Sequence, residues 1–157
     1  MKQSTPQKLL TTSLVVAGLF CLLQHKNACA EDWSSIIKKT DYEIFVDIDS
    51  YNVSDGLPWI TIKTLYKKQQ STQIKVAEKN DKKAKAFPIN FFSVMQLQQF
   101  NCKSPFFRTK YAHYFQKNGK LIAKDNTLTT FQSIAPNSDV FAVGQLTCQV
   151  HQMLGGQ

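Results

Sequence analysis

The sequence predicts an α+β domain: a single antiparallel β-sheet of about five to six strands, with N- and C-terminal helices packed on one face. Three observations predict it. Tyr42 to Asp49 alternates, with Tyr42, Ile44, Val46 and Ile48 on one side and Glu43, Phe45, Asp47 and Asp49 on the other, which is the period of a half-buried strand. Further β-rich runs follow, and Asn118-Gly119 lies between two of them, the strongest hairpin signal in the chain. Near the end, Val140, Val143, Leu146, Thr147 and Val150 recur at helical spacing. An order of helix, strands, helix gives a sheet with helices on one side.

Ahead of that domain, residues 1–30 read as a secretory leader. Lys2 and Lys8 supply a basic start, Leu9 to Leu23 an apolar stretch, and Ala28-Cys29-Ala30 a small-residue cleavage site. The apolar stretch is shorter than the ~20 residues that span a bilayer core, so no transmembrane span remains after cleavage. Neither cysteine of the leader fits a lipidation site: Phe20 precedes Cys21, and Lys26 stands three residues before Cys29. The expectation is an exported protein of the periplasm or the outer cell surface, with residues 31–157 as one domain.

Within it, Asp32 is placed to cap a short helix in which Trp33, Ile36 and Ile37 share a face and Lys38-Lys39 meet the negative end of the dipole. The strand at Tyr42 to Asp49 comes next, then turn residues Asn52, Asp55 and Gly56, then a second β-rich run from Trp59 to Tyr66 that pairs with the first. Gln69 to Ala86 is polar, Lys-rich and nearly free of aromatics, which predicts a long exposed loop or extended hairpin tip. Strand character returns at Phe87 to Cys102, Phe107 to Gln116 and Lys120 to Lys124. Phe131 to Ile134 leads to Pro136, Ser138 caps the last helix, and Gly155-Gly156 ends it.

Charge and cysteine content bound the function. The chain carries 19 basic and 11 acidic residues; Lys2, Lys8 and Lys26 leave with the leader, lowering the net charge from +8 to +5. A mild basic excess suits an acidic polysaccharide, a lipid headgroup or an acidic protein. Nucleic acid is disfavoured by the compartment and by a basic set that is nearly all lysine, with Arg108 the one arginine. Cleavage also leaves Cys102 and Cys148, an even number in an oxidising compartment, so a disulfide is expected. A redox pair or thiolate metal site is the weaker alternative, given the wide spacing and the lack of a Cys-x-x-Cys.

The most suggestive binding feature is the Lys-rich segment, with Lys79, Lys82, Lys83 and Lys85 at its centre as candidate partner-binding residues. A solvated loop kept soluble by charge accounts for the same pattern. Asp47, Asp49 and Ser50 raise a metal or acid/base pair, against a structural role at the end of the strand. His113 sits in an aromatic-rich strand and reads as a partly buried structural histidine; His151 falls near a mobile C-terminus. No catalytic grouping, metal signature or cofactor motif is visible. Phe91-Phe92 and Phe106-Phe107 are adjacent pairs whose members face opposite ways on a strand, so one of each is a candidate for exposure.

These landmarks match a family. Trp33 after the leader, Asp47-Ile48-Asp49-Ser50, Gly56, Ser93 before Phe100-Asn101-Cys102, the Asn118-Gly119 hairpin, Phe131 through Pro136-Asn137-Ser138, and Cys148 in the closing helix follow one another as in the surface-adhesin protein E family of small exported bacterial proteins, which the chain resembles. Asn101, Phe131 and Asn137 stand where members typically carry Asp, Trp and Gly. The resemblance implies an antiparallel sheet with flanking helices, a disulfide joining Cys102 to Cys148, adhesion to host extracellular-matrix proteins, and a homodimer. The function expected is thus that of a non-enzymatic envelope adhesin; a periplasmic structural or housekeeping role without a host ligand is the alternative.

Overall fold

The computed structural model describes residues 33–76 and 85–155, without the side chains of residues 75, 76 and 85; the leader expected at residues 1–30 lies outside them. Seven strands, β1 (Trp33–Lys38), β2 (Tyr42–Ser54), β3 (Leu57–Val76), β4 (Lys85–Asn101), β5 (Phe106–Phe115), β6 (Leu121–Asp125) and β7 (Gln132–Ser133), precede one helix, α1 (Asp139–Met153). The strands form one antiparallel sheet in which β1 to β6 are neighbours in chain order. The outer edge of β5 is shared: β6 pairs along Ala112 to Phe115 and β7 along Phe106 and Phe107.

This corrects the expected architecture. The predicted N-terminal helix does not form, and the domain is a seven-stranded sheet with a single C-terminal helix. The segment from Trp33 is β1, paired with β2 from Trp33↔Asp47 to Lys38↔Glu43. A bulge between Ser35 and Ile37 explains the misleading pattern. Successive strand residues normally face opposite ways, but a bulge lets two neighbours face one side, and Ile36 and Ile37 both pack against the core. That copies the apolar spacing of a helical turn. The β2 pattern likewise ends in a bulge, between Asp47 and Asn52, rather than in a turn. There the Ser50 hydroxyl accepts from the Thr61 amide at 2.8 Å and donates to the Asp47 carbonyl at 2.6 Å, while the Ser50 amide donates to Asp47 Oδ1 at 3.3 Å. The strand continues to Ser54, where Asp55 (φ 56°) and Gly56 (φ 70°) form the hairpin loop. Two positive φ angles give the loop the twist that matches the strands on either side.

The core lies on one face. Ile44 and Val46 of β2, Ile60 and Ile62 of β3 and Phe100 of β4 are buried against Val143 of α1. Burying each such side chain contributes about 1.5–3 kcal/mol. The Ser138 hydroxyl caps α1 by accepting from the Phe141 amide at 3.2 Å. At Gly144 the helix comes so close to the sheet that a Cβ would lie 2.9 Å from Phe100 Cδ1. The expected disulfide is present: Cys148 of α1 is bonded to Cys102, just beyond β4, with the Cα atoms 5.5 Å apart. At the other end of the helix, Lys39 pairs with Asp139 at 2.6 Å and the Tyr42 hydroxyl donates to the same carboxylate. These bonds, Lys39 first and then Tyr42, hold the Asp139 carboxyl below its usual range.

A second cluster continues along the sheet with no residue of α1 in it: Phe91, Val94 and Ala112, flanked by Tyr66, Ile89, Tyr114 and Ile122. Phe91 packs edge-on between Tyr66 and Tyr114, with ring centroids 5.8 and 5.0 Å away. Burial is the main cause pushing both phenols above their ordinary pKa.

Candidate functional site

Strand alternation that sends Ile44, Val46, Ile60 and Ile62 under α1 sends their neighbours to the opposite, helix-free face. Register fixes the rows across it. Trp59, Gln99 and Arg108 are opposite one another on β3, β4 and β5; so are Thr61, Leu97 and Tyr111, then Lys63, Met95, His113 and Lys124. The face therefore carries basic residues interleaved with aromatic and apolar ones.

The cations rest on rings rather than on carboxylates. Lys63 Nζ lies 5.4 Å from the centroid of Trp33, and Lys110 Nζ lies 5.6 Å from that of Trp59. The Arg108 guanidinium is 5.6 Å from Trp59 and 4.6 Å from Phe131. Such contacts contribute about 0.5–1 kcal/mol each when exposed. Among the described residues the ion pair present is Lys39–Asp139, and none of the cations of this face is paired with a described carboxylate. Glu43 and Asp47 are engaged by hydroxyl or amide groups: Glu43 accepts from Ser35 at 2.6 Å and Asp47 from Ser50. His113 stacks on Tyr111, with ring centroids 4.6 Å apart. No three His, Cys, Asp or Glu come together as a metal site among the described residues.

The residues singled out from the sequence are distributed as follows. Lys79, Lys82 and Lys83 lie outside the described residues; Lys85 opens β4 opposite Val76. The polar segment before them is not a loop but the outer half of a long hairpin, with Gln70 to Val76 paired to Phe91 to Lys85. Past Tyr66 on β3 and before Ser93 on β4, the pairings with β2 and β5 end, so this part is a two-stranded ribbon. Asp47 and Ser50 serve the bulge, while Asp49 is exposed. Of the aromatic pairs, Phe91 is buried at 6% exposure and Phe106 stands out at 39%, with Phe107 against the core. His151 is not in a loose terminus: it is buried in the last turn of α1, its Nδ1 2.7 Å from the Tyr51 hydroxyl. The sequence reading also missed the Gln99–Arg108–Trp59–Phe131 grouping. A usable signal was present in one arginine among 18 lysines, on a strand where Phe106, Arg108 and Lys110 fall two apart.

Together these features define a small disulfide-bonded domain with one helix-covered and one open sheet face. The family model for surface-adhesin protein E matches residues 33–149, and the chain belongs to that family of exported surface proteins. A crystal structure of Haemophilus influenzae protein E, crystal form II, shares the fold with a TM-score of 0.51 at 15% identity, covering 76% of this chain and 89% of that one. A second structure of Haemophilus influenzae protein E gives 0.49 at 13% identity, over 77% and 86% of the two chains. No curated protein matches the sequence.

Proposed function

We propose that the protein is a non-enzymatic adhesin that binds host extracellular-matrix proteins, with Lys79, Lys82, Lys83 and Lys85 at the far end of the β3–β4 hairpin contributing to the contact. Membership of the surface-adhesin protein E family over residues 33–149 carries this reading. The hairpin supports it, because β3 and β4 stay paired out to Val76 and Lys85 after their pairings with β2 and β5 have ended, and the lysines belong to the stretch that joins those two strands. Long-range attraction to acidic surfaces follows from such a charge cluster and weakens with salt.

The test is solid-phase binding of the purified protein to immobilised matrix proteins, beside a variant with Lys82, Lys83 and Lys85 changed to Glu. Saturable binding that falls in the variant and in high salt is expected. Binding by the parent no stronger than that of an unrelated basic protein ends the adhesive reading; undiminished binding by the variant ends the hairpin assignment alone. Protease treatment of intact cells is expected to remove the protein, and protection would favour a periplasmic role. Family resemblance also brings a homodimer into the proposal, and sedimentation at micromolar concentration reads it out.

A further inference from the structure

Arg108 is the chain's one arginine, and its surroundings are built around it. Its Nε donates to Gln99 Oε1 at 2.6 Å. Gln99 is fully buried, and its own amide nitrogen donates to the Ser54 carbonyl at 3.2 Å, on the β2–β3 hairpin. The guanidinium is therefore oriented by a neutral amide that leaves its charge intact. A Glu in that place would have turned the pair into a structural ion pair. The Trp59 and Phe131 rings lie with their centroids 5.6 and 4.6 Å from the guanidinium, and the Nη groups have no acceptor among the described residues.

Lys110 completes the arrangement. The β4–β5 ladder shifts between Leu97 and Gln98, pairing them with Tyr111 and Thr109. Lys110 is the residue inserted by this bulge, and its ammonium reaches the Trp59 ring on the same face as Arg108. Phe106 and Phe131, each 39% exposed, flank the cations with open apolar surface. Two fixed cations without carboxylates, bordered by exposed aromatic rings, match a partner that offers acidic and apolar side chains together.

We propose that Arg108 and Lys110 form a carboxylate-binding site that takes an acidic, aromatic-containing segment of a protein partner. A guanidinium held at Nε presents its outer nitrogens as a fork that donates to both oxygens of a carboxylate, which an ammonium cannot reproduce. Phe106 and Phe131 supply the apolar contact beside it, in the combination of Arg and aromatic residues that concentrates binding energy at interfaces. The inference rests on the adhesive reading for the class of partner, and it adds recognising residues on the sheet face to the hairpin lysines.

A single arginine makes the test direct, because its guanidinium 15N signals need no assignment. The full exported protein is titrated with a short peptide of alternating Glu and Phe, with the same peptide carrying Gln for Glu, and with a heparin oligosaccharide. Saturable shifts of the Arg108 signals with the Glu peptide are expected, and none with the Gln peptide. Arg108→Lys, with its disulfide and melting curve intact, is expected to weaken Glu-peptide binding about ten-fold or more despite keeping the charge. Equal binding of the two peptides, or by parent and Arg108→Lys, overturns the proposal. Shifts with heparin but not with the Glu peptide overturn it in favour of a sulfated polymer. Failure of the adhesive reading is seen separately, as absent matrix binding by the parent whatever the peptides do.

Discussion

The two faces of the sheet come from alternate residues of the same strands, yet different forces hold them. On the covered face, Val46, Ile60 and Phe100 are almost wholly removed from water and the helix is bonded in place through Cys102–Cys148. On the open face, Lys63, Arg108 and Lys110 keep their charge and rest on Trp33, Trp59 and Phe131. Covered residues are therefore expected to set stability and open ones to set what the protein binds. Substitutions on either side can break that division.

The largest effect is expected from the disulfide. Replacing Cys102 and Cys148 together by Ala frees a loop closed over a separation of 46 residues, and about 4 kcal/mol should be lost in urea unfolding. A loss below about 1 kcal/mol would mean that apolar contacts alone hold the helix. Next comes Gly144→Ala. Its Cβ would collide with the Phe100 ring, and crowding of about 2–3 kcal/mol outweighs the helix-propensity gain of about 1 kcal/mol. A net loss of about 1–2 kcal/mol is expected, relieved when Phe100 is shortened to Leu.

A smaller loss, about 1 kcal/mol, is expected for Asp139→Asn, which gives up the Lys39 pair and a favourable charge at the helix N-terminus. The sign with pH follows from the lowered pKa of Asp139. Its contribution is fully present above the ordinary carboxylate range and is lost as pH falls through the folded value. Parent and variant stabilities should therefore start to converge as pH falls below the ordinary carboxylate range and meet once it is below the lowered folded pKa of Asp139; a difference that persists at that acidic end would assign the effect to packing instead. Lys39 is shifted up by the same contact, so its end of the pair is lost only at strongly alkaline pH. Last, Arg108→Gln should change the unfolding free energy by about 1 kcal/mol or less. If it destabilises as much as Gly144→Ala, the open face is a second core and not a binding surface.

What could be read from the sequence was local. The alternation predicted from Tyr42 to Asp49 holds as far as the bulge after Asp47, leaving Ile48 exposed. Of the predicted turn residues, Asp55 and Gly56 make the turn, while Asn52 lies in β2 and pairs with Trp59. The Ser138 cap stands. Each of these is decided by a few adjacent residues. The one cysteine pair left after the leader forms the disulfide. Features that depend on distant partners were not legible. β1 looked helical because a bulge turns Ile36 and Ile37 the same way. β7 is two residues long and exists only because Phe106 and Phe107 pair with it. The outer part of β3 was legible only as one of two alternatives, an exposed loop or an extended hairpin tip, and its pairing with Lys85 to Phe91 makes it the second. Burial of His151 depends on Tyr51, 100 residues away, and the setting of Arg108 depends on β3, β4 and the segment before β7.

The bulge in β1 has one more consequence. An antiparallel sheet is open to growth wherever an outer strand offers a straight row of free amides and carbonyls. Among the described residues, β5 is lined on its outside by β6 and β7, whereas nothing pairs with the outside of β1. There the bulge interrupts the row, and Lys38 and Lys39 bring charge to its end. Kinked and charged borders discourage another strand from joining. The irregularity of β1 therefore guards this border of the sheet against uncontrolled strand addition.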